Sequence, residues 1–304
     1  MTLTQLSYII AVDTYRHFAT AAEKSFVTQP TLSMQIQKLE DELGVVIFDR
    51  SKQPVIPTEI GARIIEQARI IVKESQVIKH IISDNRDTIE GEYRIGIIPT
   101  LSSYLIPRFL KEFTDTYPNV TLIFQELMTN EIIGKLHEDQ IDVGIIATPP
   151  PNHHFKELPL FFEPFTAYVS PEHHIYDEEY IQSSDLERDE IWLLSEGHCL
   201  RDQTLDLCKA TSKQKKNQVH FESGSLETLI KLVDQHYGFT ILPYLATIDL
   251  SEEKQKYVRP FKESNPGRNV RLLYGRMYSK NKILNVLREV IMSNLPEGVT
   301  PAEY

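Results

Sequence analysis

The spacing of apolar residues changes once along this chain, at about Gly91, and that change limits what it can fold into. Before it the spacing is helical. Leu3, Leu6, Ile9 and Ile10 recur at helical intervals, and so do Ile60, Ile64, Ile65, Ala68, Ile71 and Val72. After it, short β-rich runs alternate with amphipathic helical stretches: Tyr93–Ile98 then Tyr104–Phe113, Val120–Phe124 then Glu131–Glu138, then Val143–Ala147. Farther on come Ile191–Leu194, Val219–Phe221, a helix across Leu226–His236 and a strand Phe239–Leu242. Such alternation predicts parallel sheets with helices on their faces. The chain reads as a helical N-terminal part joined to an α/β region long enough for two lobes. Pro149-Pro150-Pro151 and Asn265–Gly267 read as loops, and no short repeat interrupts the pattern.

Composition narrows the function less than the spacing narrows the fold. With 304 residues, 41% of them hydrophobic, the chain has material for two or three sizeable cores. No run of apolar residues is long enough to span a membrane. Met1 to Ile10 lacks a basic leader and a small-residue cleavage site, so it is expected to be the first helix of a cytoplasmic protein. The net charge of -11 argues against nucleic-acid binding, because phosphate contacts need Lys and Arg. Residues 1–63 do not offset it: Arg16, Lys24, Lys38, Arg50, Lys52 and Arg63 face Asp13, Glu23, Glu40, Asp41, Glu42, Asp49 and Glu59. Any DNA-binding surface must rest on where these charges lie.

One stretch supplies such a surface. Ala19, Ala21 and Ala22 form a small-residue helix from His17 to about Ser25, and Phe26-Val27 make a turn. A second helix then opens at Thr28-Gln29-Pro30, with Thr28 placed to cap and Pro30 in the first turn, where a missing N–H costs nothing. Leu32, Ile36, Leu39 and Leu43 occupy one face of it, and Gln29, Thr31, Ser33, Gln35 and Lys38 another. Small polar side chains near the start of the second helix suit major-groove reading. An ordinary helical hairpin with a solvated polar face has the same pattern. The full string is more specific. Phe18-Ala19-Thr20-Ala21-Ala22, Thr28-Gln29-Pro30-Thr31-Leu32-Ser33, Ile36-Gln37-Lys38-Leu39-Glu40, Leu43-Gly44, Phe48, Arg50 and Thr58 to Gly61 resemble the winged helix-turn-helix of LysR-type transcription regulators. The resemblance implies that Gln29, Pro30, Thr31, Ser33 and Gln35 face double-stranded promoter DNA, that Arg50 and Lys52 flank the wing, and that Thr58 caps the next helix. The wing, Ser51-Lys52-Gln53-Pro54, departs from the family in holding a Pro and a single Lys.

From Thr58 to about Thr88 the chain reads as one long helix with an apolar stripe through Ile64, Ala68, Ile71, Ser75 and Ile78. A second chain is expected to cover that stripe, giving a homodimer and a pseudo-palindromic DNA site. A helix folded back on its own domain is the alternative. By resemblance the family assembles further into tetramers and contacts RNA polymerase. The resemblance also implies an all-α winged helix-turn-helix domain at 1–58 and a linker helix at 59–89. An α/β effector domain at 90–304 would follow, built from two Rossmann-like lobes of the periplasmic-binding-protein type. Lobe I would hold about 90–163 and 269–304, and lobe II about 164–268, with crossings near Pro164 and Asn265. Ligands enter such folds between lobes, at helix N-termini and strand ends. Thr100 and Thr129 stand at such places, although a lone Thr there is more often a helix cap.

The two cysteines, Cys199 and Cys208, are nine positions apart. In a reducing cytoplasm a structural disulfide is not expected, and two unrelated thiols remain an open reading. Cys199 follows Gly197 and stands at a helix start, where the helix N-terminus, His198 and Arg201 are expected to lower its pKa. A thiolate there attacks peroxide to give sulfenic acid, which a second thiol resolves as a disulfide. If 200–208 is helical, nine rises of ~1.5 Å put the two Cα atoms roughly 13 Å apart. A disulfide needs them within about 7 Å, so oxidation requires unwinding. Gly197-His198-Cys199-Leu200-Arg201-Asp202-Gln203 with Cys208, and His220-Phe221 followed by Ser225-Leu226-Glu227-Thr228-Leu229, resemble the redox segment of the peroxide-sensing LysR-type regulators. The resemblance implies that Cys199 is peroxidatic and Cys208 resolving. It also implies that Thr100, Thr129, His198 and Arg268 place peroxide, and that Asp202 anchors the loop. His220 is explained equally well by a structural hydrogen bond.

The remaining candidates carry less. His153-His154 and His173-His174 are weak metal signals, Trp192 reads as core, and the basic stretch 209–217 reads as a solvated loop. No cofactor is expected. The expected function is a regulator, not an enzyme, that senses hydrogen peroxide and activates oxidative-stress genes. The alternatives are a LysR-type regulator of a small metabolite with incidental cysteines, a thiol peroxidase, and a zinc site on His198, Cys199 and Cys208.

Overall fold

The computed structural model describes residues 1–84, 89–150, 155–186, 191–208, 223–235, 238–262, 265–275 and 281–302, with backbone only at Lys73, 76–84 and Asn281. It divides after the long helix into two compact units.

The first unit opens with α1, Leu3–Tyr15, nucleated by a reciprocal cap in which Thr2 accepts from the Gln5 N–H and Gln5 accepts from the Thr2 N–H. Arg16, in the left-handed region, ends it. Next come α2, Phe18–Lys24, and α3, Gln29–Leu43. Thr28 caps α3 as expected, and Gly44 at φ 67° stops it. Two short strands, β1 (Phe48–Asp49) and β2 (Ile56–Pro57), pair antiparallel as the wing. The core is made by Leu6, Ile9, Val12, Ala21, Ala22, Leu32, Ile36, Leu39, Ile47 and Phe48.

Thr58 then caps α4, Glu59–Asp84: its hydroxyl accepts from the Gly61 N–H at 3.0 Å and donates to the Val46 carbonyl at 2.7 Å. Gly61 is required here, because a Cβ would lie 2.0 Å from the Ile47 carbonyl oxygen. The first part of the expected stripe of α4 packs within the unit. Ala68 is buried in this unit's own core, and Ile64 and Ile71 pack against it. The helix starts beside that core, so its first turns find apolar partners within the chain. Among the described side chains of α4, Ile60 and Ile70 are large, apolar and exposed, and the side chain of Ile78 lies outside the described ones.

The second unit is the expected α/β domain. β3 (Gly91–Ile97) lies parallel between β4 (Val120–Glu126) and β5 (Val143–Ile146). Two helices follow their strands: α5, Pro99–Thr116, between β3 and β4, and α6, Thr129–His137, between β4 and β5. The expectation of wholly parallel sheets fails beyond β5. β9 (Gly267–Gly275) runs antiparallel to β5, and β6 (Phe155–Val169) antiparallel to β9. β6 is long enough to serve two sheets. Its first part pairs with β9, and its last residues pair antiparallel with β7 (Phe239–Pro243) and β8 (Val258–Pro260).

The second half carries α7 (Cys199–Leu207), α8 (Leu226–Gln235), α9 (Leu245–Ile248) and α10 (Glu252–Gln255). Its core holds Phe165, Tyr168, Leu200, Leu229, Val233, Phe239 and Ile241. Ile191–Leu194 does not form the expected strand. Among the described residues its ends make isolated bridges, Ile191 with Phe239 and Leu194 with Ser223. Trp192 packs on the core, as expected of it. Gly267, expected in a loop, opens β9, and α11 (Asn281–Ser293) and β10 (Thr300–Pro301) complete the unit. Val219–Phe221, His153-His154 and 209–217 lie outside the described residues.

Candidate functional site

In the first unit the candidate surface is α3. Gln29 and Pro30 are exposed, and Thr31 and Ser33 are half-buried beside them. Thr31 is held by the Thr28 hydroxyl at 2.8 Å. Gln35 is turned to α1, where its carbonyl groups lie within reach of the Gln5 amide. Arg50 does not stand free: it donates to Glu40 at 2.9 Å and to Ser33 at 3.2 Å, and stacks over Phe18. It braces the wing against α3, while Lys52 is exposed. Two residues with no sequence signal join this surface, Met34 at 51% exposure and Phe26 at 96%. Phe26 also holds a left-handed backbone at φ 56°.

In the second unit the candidate site is Cys199. His198 is the N-cap of α7 and Cys199 its first residue, so the thiol stands where backbone N–H groups point outward. A cavity of about 10 Å³ adjoins it, lined by Ile98, Pro99, Thr100, Met128, Thr129, Gly197, His198 and Cys199. That is room for about one water-sized molecule. Thr100 lies in the first turn of α5 and Thr129 begins α6, so the starts of two helices meet the start of α7. The Thr129 hydroxyl and His198 Nε2 are buried without hydrogen-bond partners. Unpartnered buried polar atoms are rare, and they mark a place suited to a small polar guest.

Arg268 of β9 lies behind Thr100. Its Nη1 donates to the Thr100 hydroxyl at 2.7 Å, its Nη2 to the Thr100 carbonyl at 3.0 Å, and its Nε to Glu163 at 2.8 Å. Cys199, Thr100, Thr129, His198 and Arg268 are thus brought together. Asp202 is not among them. It is exposed on the first turn of α7 and does not line the cavity, because that turn faces it away from the sheet. Its expected anchoring part falls to neighbours: Arg201 donates to the Leu194 carbonyl at 2.8 Å, and Gln203 donates to the Ala147 carbonyl at 3.0 Å. Gln203 and Glu163 were not singled out by sequence, and a Gln in an amphipathic helix or a Glu in a Pro-flanked strand gives no signal.

The expected depression of the Cys199 pKa is not found. Burial pushes the thiol up, against the opposing pull of Arg268, the Thr129 hydroxyl and the backbone N–H groups of Leu200 and Cys199. Arg201, bound to Leu194, takes no part. His198 is held below its ordinary value by burial, with Glu126 opposing, and so is neutral at pH 7. At rest the site is a protonated thiol among groups that favour its charged form.

Neither cysteine is in a disulfide, and Cys208 is buried at 5% exposure in the core of the second half. Cys199–Leu207 is continuous helix, and Cys208 follows as its extended C-cap. Nine rises of ~1.5 Å keep the sulfurs' Cα atoms roughly 13 Å apart. Among the described residues no three His, Cys, Asp or Glu side chains converge to hold a metal, so the zinc alternative finds no ligand set. No described helix is long and apolar enough to cross a membrane.

A winged helix-turn-helix joined to an α/β domain with a site at its strand ends defines a signal-responsive, DNA-binding regulator. Residues 3–62 match the bacterial regulatory helix-turn-helix model of the lysR family, and 86–295 match the LysR substrate binding domain. The chain belongs to the LysR family. It is 35% identical over 274 residues to the hydrogen peroxide-inducible genes activator of Pectobacterium carotovorum, covering 90% of each. It is 34% identical to the DNA-binding transcriptional dual regulator OxyR of Escherichia coli K12, covering 90% of this chain and 89% of that one. Among solved structures, a cysteine-to-aspartate variant of full-length OxyR from Pseudomonas aeruginosa has a TM-score of 0.80 at 33% identity, covering 97% of this chain and 99% of that one. A cysteine mutant of Corynebacterium glutamicum OxyR with hydrogen peroxide bound has a TM-score of 0.62 at 27% identity, covering 96% and 92%.

Proposed function

We propose that this protein is a transcription regulator that senses hydrogen peroxide at Cys199 and reports it by forming a disulfide with Cys208. The observation that carries the reading is a free thiol at a helix N-terminus, beside a one-molecule cavity with two unpartnered buried polar groups. Peroxide in the cavity is polarised by the Thr129 hydroxyl and His198 Nε2, while Arg268 favours the sulfur anion. Sulfur attacks one oxygen and the O–O bond breaks. The other oxygen takes the thiol proton and leaves as water, so Cys199–SH and HOOH give Cys199–SOH and H2O. Cys208 sulfur then displaces the sulfenic oxygen, giving the disulfide and a second water. That step requires α7 to unwind and Cys208 to leave its core, and it makes α7 a two-state element.

The same reading assigns 1–58 to DNA binding, 59–89 to the linker and 90–304 to sensing, in a cytoplasmic activator of oxidative-stress genes. Gln29, Pro30, Thr31, Ser33 and Lys52 would meet promoter DNA, with Arg50 bracing the wing. Exposed Leu3, Ile60 and Ile70 support a homodimer or homotetramer, and RNA polymerase would be the further contact. A second reading, a metabolite sensor, is favoured by a cleft of about 140 Å³ lined by Thr100, Ser103, Tyr104, Glu126 and Glu227.

Mass spectrometry of the full chain with and without peroxide, paired with DNA protection, tests the proposal. Wild type is expected to lose two hydrogens and change its footprint. Cys199→Ser is expected to do neither, and Cys208→Ser to gain one oxygen. Two intact thiols in peroxide-treated wild type would sink the proposal in favour of the metabolite reading.

A further inference from the structure

The peroxide chemistry uses Arg268 and Thr100 but gives no task to Glu163. This carboxylate is wholly enclosed, with both its side chain and that of Arg268 at 0% exposure. The two residues face each other in register across β6 and β9. One Glu163 oxygen accepts from Arg268 Nε at 2.8 Å, and the other accepts from the Leu245 N–H at 2.9 Å, at the start of α9. The opposite edge of the guanidinium is occupied twice by Thr100. Among the described residues Glu163 is the ion-pair partner of Arg268. The buried arginine is therefore clamped between a negative charge on one side and the Thr100 end of the cysteine cavity on the other.

We propose that Glu163 is a positioning residue for the cysteine site, with two effects of opposite sign. It fixes Arg268 against Thr100, which lines the same cavity as Cys199, and its charge offsets part of the guanidinium charge there. Cys199 thereby stays a thiol until peroxide enters. The inference rests on the cysteine reading above and adds the group that sets its resting state.

The other groups around the pair do not replace that charge. Tyr104 of α5 feels both Arg268 and Glu163, but its hydroxyl donates to Glu227 at 2.8 Å and is held protonated. His198 is neutral, and Glu126 acts on it. Asp202 on α7 is exposed. A buried charge pair interacts over low-dielectric surroundings, so removal of one member is felt at a third group nearby. The sign is diagnostic. If Glu163 offsets Arg268, its neutralisation strengthens the positive field at sulfur and favours the thiolate. If Glu163 were only a scaffold, its loss would let Arg268 move off and disfavour the thiolate.

The test is the pH profile of Cys199 alkylation by iodoacetamide, in the full chain carrying Cys208→Ser so that one thiol reports. E163Q keeps the shape of the side chain and an acceptor for Arg268 Nε. It is expected to move the midpoint down and to raise the rate at neutral pH about three- to tenfold. R268Q is expected to move it up. An unchanged or higher midpoint in E163Q overturns the proposal. Should E163Q fail to fold, R268Q and E163Q/R268Q carry the same test. The double variant must have the lower midpoint of the two, because the buried negative charge behind Arg268 is gone, and equal midpoints overturn the proposal. Alkylation uses no peroxide, so a wild type inert to peroxide would refute the sensing reading while leaving this result readable.

Discussion

The α3 surface and the Cys199 site differ in how many pieces of chain each one needs. Everything that shapes α3 lies within a short stretch: Thr28 caps it, Pro30 fits its first turn, Leu32, Ile36 and Leu39 bury one face, and Gly44 ends it. The Cys199 site draws on Ile98–Thr100, Met128–Thr129, Gly197–Cys199 and the Glu163–Arg268 pair, which come from five elements and their junctions. The polar groups of the first lie at or near the surface, whereas those of the second are buried, and two lack partners. A surface for a large partner can be local and solvated. A site for a molecule near the size of water has to be assembled from remote parts and kept dry.

The strongest way to break this comparison is to damage one region and read the other. Ile36 is at 0% exposure in a core that contains only residues of the first unit. Ile36→Ala is expected to destabilise that unit by about 2–5 kcal/mol, seen as an early thermal transition with loss of DNA binding. The alkylation rate of Cys199 should not change, because its surroundings share no core residue with Ile36. A parallel change in Cys199 reactivity would show that the two regions do not fold independently.

The same contrast explains what could be read from sequence. The helix-turn-helix string specified its own caps, core face and turn, and the structure adds only Phe26, Met34 and the Arg50 brace. In the α/β unit, β3, β4, β5 and the helices after them follow from local spacing. β6 and β9 do not, since Pro159 and Pro164 interrupt the first and an expected loop hides the start of the second. Cys199 and its helix were legible because a Gly, a helix start and a second Cys lie in one segment. Glu163 was not, because its meaning comes from lying opposite Arg268 across a ladder of over a hundred residues' separation. The balance of effects on the thiol is hidden for a related reason. A helix N-terminus is visible in sequence, but the burial that outweighs it is set by α5, α6 and β9.

A smaller effect sharpens the cysteine side. Thr129→Val replaces a buried, unpartnered hydroxyl by a methyl group of the same shape. Stability should hold within about 1 kcal/mol or rise, since an unsatisfied polar atom is removed. The peroxide and alkylation rates of Cys199 should fall roughly three- to tenfold at neutral pH, because one of the groups favouring the thiolate is gone. Stability and reactivity moving in opposite directions is the outcome to look for. A stability loss with unchanged reactivity would place Thr129 among ordinary helix caps.

The smallest expected effect is in the pH dependence of stability, where the two neighbours at the start of α7 act in opposite senses. Burial holds His198 below its ordinary value of 6.5, so the folded state takes up its proton less readily than the unfolded chain. The stability it contributes is present above that ordinary value and is lost as pH falls through the folded one. Burial holds the Cys199 thiol above its ordinary value of 9.0, so the folded state keeps its proton longer. That contribution is present below the ordinary value and is lost as pH rises through the folded one. Melting temperature of the second unit should therefore decline on both sides of a neutral plateau. His198→Gln is expected to flatten the acid side only, and Cys199→Ser the alkaline side only. If Cys199→Ser left the alkaline side unchanged and the alkylation midpoint fell below that of free cysteine, the helix N-terminus and Arg268 would outweigh burial. The resting site would then be a thiolate.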